Sequence, residues 1–282
     1  MTDAAVVRWP APAKLNLMLR VVGRRADGYH LLQTVFQLLD HGDELTFAPR
    51  EDGSVLRRGV VPGVPAETDL VVRAARLLQA ETGCGAGAEI ALRKRLPMGG
   101  GLGGGSSDAA TTLHALNRLW GLGLGIDELA GLGLRLGADV PVFVRGHSAW
   151  SEGVGEELTP ITLPPAWYLV VRPPCEVATR DVFTDPELTR NSTLITMTDF
   201  LAGAWGNDCL PVVERRCPQV ADALRWLERF TRPRLTGTGS CVFGVFATEQ
   251  EALGVLAQLP ERYAGFVSRG VDRSPVLALA GL

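Results

Sequence analysis

Lysine is almost missing from this 282-residue sequence: of 28 basic residues, only Lys14 and Lys94 are lysines and the others are arginines. Such a skew follows codon composition, but it also marks both lysines as positions where a primary ammonium rather than a guanidinium serves a purpose. An excess of one charge is lacking too. The formal net charge is −3, and the basic clusters (Arg24-Arg25, Arg57-Arg58, Arg93-Lys94-Arg95, Arg215-Arg216) are short. Nucleic acid as a partner would need a strongly basic face or stripe, so none is expected. Glycine, proline and charged residues interrupt every apolar stretch before the roughly 18 residues that a membrane-spanning helix requires. Met1 to Pro12 has neither the basic start nor the apolar core of a secretory signal, so a soluble, cytoplasmic protein with no membrane partner is expected. Cysteine is scarce. Cys84, Cys175, Cys209, Cys217 and Cys241 are odd in number and show neither C-x-x-C spacing nor a histidine pattern. Neither a disulfide framework nor a zinc site is expected, and the five read as small buried hydrophobes.

What the sequence has in surplus is glycine, 33 residues, on an otherwise globular composition of 46% apolar and 21% charged residues. At about 150 residues per domain the length suits two domains or one large one. The first third reads as β-rich. Lys14 to Val22 alternates at its start like a half-buried strand, Gly23 to Gly28 carries turn signals, and Leu31–Leu39, Asp43–Phe47 and the segment around Val55 read as further strands. Leu70–Ala80 has helical spacing, Glu89–Lys94 alternates again, and Asp108–Trp120 is helical, with Val142-Phe143-Val144 as an apolar strand beyond it. A proline-rich passage from Pro160 to Pro174 marks a domain boundary, giving expected domains of 1–160 and 161–282. Strand Trp167–Val171, helix Gln219–Phe230, strand Cys241–Ala247 and helix Glu249–Leu259 make the second half α+β.

The densest glycine lies between a strand and a helix: six of the seven residues from Gly99 to Gly105 are glycine. With no Cβ to block approach, such a loop can aim many backbone N–H groups at one anion, and the following helix adds its positive end. Ser106, Ser107 and Asp108 suit that helix start, and polyphosphate is the natural ligand. Three other readings compete. A flexible linker would need a polar spacer, which is absent. A dinucleotide fingerprint, Gly99-x-Gly101-x-x-Gly104, matches formally but follows a charged strand and lacks the later acidic residue. A Walker A loop fails because Gly105-Ser106 stands where Lys-Ser/Thr is required.

Pro97-Met98-Gly99-Gly100-Gly101-Leu102-Gly103-Gly104-Gly105-Ser106-Ser107-Asp108-Ala109-Ala110 resembles the central ATP-binding motif of the GHMP kinase superfamily. Pro12-Ala13-Lys14-Leu15-Asn16-Leu17 resembles its first motif and Thr236-Gly237-Thr238-Gly239-Ser240-Cys241-Val242-Phe243 its third, in the expected order over essentially the whole chain. Gly23 to His30, Gly137-Ala138-Asp139-Val140-Pro141 and Asn207-Asp208-Cys209 resemble the branch that phosphorylates a small sugar alcohol carrying a cytidine diphosphate group, in the non-mevalonate route to isoprenoid precursors. The resemblance implies a two-domain α+β fold: an N-terminal ATP-binding domain and a C-terminal α/β-sandwich domain, with the acceptor in the cleft between. It also implies ATP as co-substrate, and Mg2+ with it.

Phosphoryl transfer needs in-line positioning, countercharge for the transferred group and an acceptor for the attacking hydroxyl's proton. By this resemblance Asp139 takes that proton or orients the hydroxyl, and Lys14 orients Asp139 and adds positive charge; a turn terminus and an edge-strand lysine are the plainer alternatives. The same resemblance implies that residues Pro97 to Ser107 hold the nucleotide. Tyr29 and Phe183 would sandwich the cytosine, His30 would hydrogen-bond it, and Asn16 and Thr238 would contact the substrate; core packing is the alternative for Tyr29 and Phe183. His41, His114 and His147 read as surface or core residues, and Lys94 as a surface residue. A homoserine- or mevalonate-type kinase, or a catalytically silent nucleotide-binding regulator, remains an alternative to the cytidine-directed kinase.

Overall fold

The computed structural model describes residues 7–282; residues 1–6, the start of the segment expected to carry no targeting signal, lie outside the described residues. The chain begins with a long antiparallel pair, β1 (Trp9–Arg24) and β2 (His30–Arg50). The segments expected as two strands, Leu31–Leu39 and Asp43–Phe47, are one continuous β2. Nor is β1 half-buried: Ala13, Leu15 and Leu17 enter one apolar cluster, while Lys14 and Asn16, on the opposite side of the pleat, are each only 3% exposed. The register shifts between Pro12 and Lys14 and between Asn16 and Met18, so irregularities bracket the two polar residues. Bulges of this kind re-aim side chains and commonly lie beside functional sites.

After β3 (Val55–Arg58) comes α1 (Leu70–Thr82), whose start is capped by the Asp69 carboxylate accepting from the Val71 N–H at 3.0 Å. Strand β4 (Gly87–Arg93) pairs antiparallel with β2 and parallel with β3, then leads through the glycine loop into α2 (Gly104–Leu119). Helices α3 (Ile126–Leu136) and α4 (Val140–Arg145) pack with α1 and α2 in one layer against β1 and β2. Val142-Phe143-Val144, expected as a strand, lies inside α4. The β-branched run favours a strand, but Pro141 at the first helical turn starts a short helix and Gly146 (φ 65°) ends it.

Strands β5 (Ala149–Glu152) and β6 (Glu157–Pro160) form a hairpin on β2. The second half contains β7 (Trp167–Arg172), α5 (Thr179–Phe183), α6 (Met197–Leu201), α7 (Leu210–Arg216), α8 (Pro218–Glu228), β8 (Arg234–Leu235), β9 (Val242–Phe246), α9 (Glu249–Leu256), β10 (Ala264–Val271) and α10 (Pro275–Ala280). The main sheet runs β3-β4-β2-β10-β7-β9-β8, so β10 joins the two halves by pairing with both β2 and β7. Val276 of α10 returns to the apolar cluster of the first half, alongside Leu113 and Val142. A second cluster fills the space between α7, α8 and strands β7 and β9. No described helix is long and apolar enough to cross a membrane.

The cysteines depart from expectation. Cys175, after β7, and Cys217, between α7 and α8, form a disulfide; Cys209 and Cys241 are buried and free, and Cys84 is half-buried. The bonded pair is 42 residues apart, and only the docking of α7 beside the end of β7 brings it together.

Candidate active site

A cleft of about 1180 Å³ runs between the glycine loop, the first turn of α4 and the start of β2. Lys14, Asn16, Tyr29, His30, Asp139, Phe183 and Thr238 all line it, together with Pro97 to Ser106; Ser107 is buried beneath the loop.

The loop offers the donors that an anion would need. No backbone N–H from Gly99 to Ser106 donates a hydrogen bond to the protein, so a row of donors faces the cleft beside the N-terminus of α2. The third motif clamps the loop from behind: Ser240 N–H donates to Gly99 O and Cys241 N–H to Gly100 O, both at 3.2 Å, and Thr236 Oγ1 donates to Gly101 O at 3.1 Å. Gly101 has φ 75°, and a Cβ there would lie 2.2 Å from the Thr236 carbonyl oxygen. Only glycine allows both the backbone conformation and the contact. Asn207 supports the clamp, its Nδ2 donating to Leu235 O and Gly237 O at 3.0 and 2.8 Å.

Lys14 stands across the cleft. Its backbone N–H donates to Leu102 O at 3.0 Å, tying β1 to the loop. Its ammonium lies 2.5 Å from Asn16 Oδ1, 3.3 Å from Asp139 Oδ2 and 5.5 Å from the Phe36 ring centroid. Burying an ammonium costs several kcal/mol unless it is paired, and these three groups supply the compensation. Asp139 occupies the N-cap of α4, yet its carboxylate caps no N–H. It is 37% exposed and points into the cleft, which leaves it available for chemistry.

At the other end of the cleft, the turn at Asp27 and Gly28 presents Tyr29, 65% exposed, at the rim. Phe183 stacks on His30, with centroids 5.1 Å apart and planes 29° from parallel, rather than facing Tyr29. Thr238 Oγ1 shares a 2.9 Å hydrogen bond with Thr179 Oγ1. Of the other histidines, His114 is buried with Nε2 2.8 Å from Val144 O, and His41 stacks on Phe266.

Lys94 is not a free surface residue. Its ammonium bridges Asp43 and Asp108, the latter at 2.8 Å, and it lines the cleft beneath Gly104. Asp43 also accepts from the N–H groups of Arg95 and Leu96, so the cluster ties both ends of the glycine loop to β2. The scarcity that singled out Lys14 applied equally to Lys94. Burial pushes the Asp108 carboxyl up to about 8 despite Lys94, because two carboxylates share one ammonium and Asp43 opposes a second negative charge. The folded state therefore holds this proton more tightly than the unfolded chain, whose carboxyl titrates near 3.8. The stability this group contributes is complete below that pH and is lost as pH rises through about 8. Asp108→Asn mimics the protonated acid and flattens that loss. In urea melts the variant should gain on the wild type at about pH 9 relative to about pH 5; an unchanged difference would contradict the assignment.

Residues 69–147 match the family described as the GHMP kinases N terminal domain, and residues 189–265 the GHMP kinases C terminal family. Fold, loop and cleft thus define an ATP-dependent small-molecule kinase of the GHMP class. The chain is 59% identical to the 4-diphosphocytidyl-2-C-methyl-D-erythritol kinase of Alkalilimnicola ehrlichii, over 95% of this chain and 92% of that protein. It is 58% identical to the kinase of the same name from Halorhodospira halophila, over 98% and 96%. A crystal structure of 4-(cytidine 5'-diphospho)-2C-methyl-D-erythritol kinase superimposes with a TM-score of 0.82 at 32% identity, covering 94% of this chain and 99% of that one. The Methanococcus jannaschii mevalonate kinase, at 16% identity and TM-score 0.69, shares the fold. The chain belongs to the 4-diphosphocytidyl-2-C-methyl-D-erythritol kinase family.

Proposed function

We propose that this chain transfers the γ-phosphoryl group of ATP to the 2-hydroxyl of 4-diphosphocytidyl-2-C-methyl-D-erythritol, giving the 2-phosphate and ADP in the non-mevalonate isoprenoid route, in the cytoplasm. The observation that carries the reading is the Lys14–Asp139 pair, 3.3 Å apart on the wall of the cleft that also holds the unpaired amides of the glycine loop.

The amides from Gly99 to Ser106 and the α2 N-terminus bind the triphosphate, with Pro97, Met98 and Leu102 completing the loop. Asp139 accepts the proton of the 2-hydroxyl as its oxygen bonds to the γ-phosphorus and the bridging oxygen leaves with ADP. A loose, metaphosphate-like transition state asks little base strength of Asp139, so orientation of the hydroxyl is its larger contribution. Lys14 holds Asp139 in place and places positive charge where the equatorial oxygens gather it. Asn16 and Thr238 hold the acceptor, and Tyr29, His30 and Phe183 hold the cytidine, Tyr29 closing over the base from the rim.

Among the described residues no cluster of three or more His, Cys, Asp or Glu side chains is arranged for a metal. The Asp139 carboxylate and the Ser106 hydroxyl on the cleft wall are hard oxygen donors that suit Mg2+ held chiefly by phosphate oxygens and water, and the Ser107 hydroxyl, buried in α2, has no partner in the protein. Bound there, Mg2+ supplies countercharge to the phosphates. We place the division between ATP-binding and C-terminal domains near residue 160.

ADP release with Mg-ATP and a panel of acceptors tests the reading. The cytidine-diphosphate substrate should be turned over, with mevalonate and homoserine inert. Turnover of either of those two in its place would overturn the reading.

A further inference from the structure

His30 and Phe183 come from distant parts of the chain, and one side chain that does not line the cleft joins them. Arg190 donates from Nε to His30 Nε2 at 3.1 Å, from Nη1 to Leu188 O at 3.0 Å, and from Nη2 to Phe183 O and Asp185 O at 3.0 and 2.7 Å. The segment it gathers is itself held to α7, because the Asp185 carboxylate accepts from Arg215 at 2.7 Å and Arg216 at 2.8 Å. Arg190 is therefore not a swinging surface cation. Its direction is set by three carbonyls before it reaches the imidazole.

A guanidinium has five N–H donors and no acceptor. The nitrogen facing it, His30 Nε2, must carry the lone pair, so the neutral ring holds its single proton on Nδ1. Burial first, and then the charges of Arg190 and Arg24, hold the His30 pKa below its usual value, which keeps the ring neutral at physiological pH. With Nε2 engaged, Nδ1–H is the only ring nitrogen left for a ligand, and it can only donate.

We propose that Arg190 is a positioning residue for base recognition: by fixing His30 as the Nδ1–H tautomer it makes this end of the cleft a hydrogen-bond donor that selects cytosine over uracil. The proposal rests on the cytidine reading of the site and deepens it. Cytosine presents an unprotonated N3, an acceptor, where uracil carries a proton; the O2 carbonyl is common to both, so the discriminating contact is from Nδ1–H to N3. A fixed donor meets a lone pair in the first case and an N–H in the second, and two facing donors leave both unpaired in a desolvated site. Without Arg190 the imidazole is free to move its proton to Nε2, and Nδ1 then accepts from uracil as well as it once donated to cytosine. Arg190 also holds the Phe183 carbonyl, so tautomer and stacking ring are set by one group.

Two independent readouts test this on the full-length protein. Long-range 1H–15N correlation of the imidazole reports which nitrogen of His30 is protonated; Nδ1 is expected in the wild type and a mixture in Arg190→Met. Calorimetric binding of cytidine 5'-diphosphate and uridine 5'-diphosphate reports selectivity without requiring turnover. The cytidine preference should fall roughly tenfold in Arg190→Met, the size of one misdirected buried hydrogen bond, and Arg190→Lys, which keeps a donor, should restore most of it. In turnover, KM for the cytidine substrate should rise with kcat within about twofold, as loss of uniform binding predicts. A proton on Nε2 in the wild type, or a variant that loses affinity for both nucleotides equally, would overturn the proposal. Should Arg190→Met fail to fold, the wild-type tautomer and Arg190→Lys decide. Failure of the kinase reading is seen separately, as absent turnover by a wild type that still prefers the cytidine nucleotide.

Discussion

Asp139→Asn should lower kcat by about 10²- to 10⁴-fold, the range for removing a positioned proton acceptor, while ATP affinity stays within about twofold. The separation follows from geometry. The carboxylate contacts Lys14 at 3.3 Å and caps no backbone N–H, so its loss disturbs neither the α4 start nor the glycine loop that we propose binds the phosphates. Lys14→Met fills the same buried space and should cost a comparable factor, because the charge it removes acts where negative charge accumulates. Since the two residues work as one unit, the double variant should be little worse than the slower single one. Single-turnover rates with saturating Mg-ATP, beside nucleotide binding by fluorescence, measure both quantities. A kcat unchanged in Asp139→Asn would remove Asp139 from the chemistry.

The second large effect is predicted at Gly101. Alanine there must hold φ near 75° and place its Cβ about 2.2 Å from the Thr236 carbonyl oxygen, a backbone atom that cannot rotate away. Either the glycine loop or the Thr236–Ser240 loop has to move, and the hydrogen bonds from Thr236, Ser240 and Cys241 that join them are lost with it. About 3 kcal/mol or more of stability should go, with a fall in melting temperature on the order of 10 °C. Affinity for ATP should drop with it, since the amides no longer converge. Gly99→Ala is the control. Its φ is 66°, but nothing lies within 4 Å of a Cβ there, so only the backbone penalty of about 1–2 kcal/mol remains. Equal melting temperatures for the two variants would show that the loops are not packed together as described.

Much of the site was legible because its chemistry is written in contiguous stretches. The glycine run, the Lys14-x-Asn16 strand and the Thr236–Ser240 turn each carry their own signal, and the fold brings all three to one cleft. What escaped reading depends on contacts between distant segments. Lys94 looks like an exposed end of a charged strand until α2 and β2 bring Asp108 and Asp43 to it. Arg190 has no motif, and its role exists only because His30 lies beside it, 160 residues away in sequence. The Cys175–Cys217 bond is invisible to spacing rules for the same reason. In α4 the local signal misled: three β-branched or aromatic residues suggest a strand, whereas burial against α2 and α3 overrides that weak preference. The return of α10 to the first half's core likewise follows from β10 pairing with β2, which no local pattern announces.

The most direct test of the account is the position of the new phosphate. Incubation of the full-length protein with Mg-ATP and 4-diphosphocytidyl-2-C-methyl-D-erythritol, followed by mass spectrometry and 31P–13C coupling in the product, should show one added phosphoryl group on the oxygen of carbon 2, formed in step with ADP. A phosphate on another hydroxyl, or ADP released without a phosphorylated acceptor, would contradict the placement of Lys14 and Asp139 at the 2-hydroxyl.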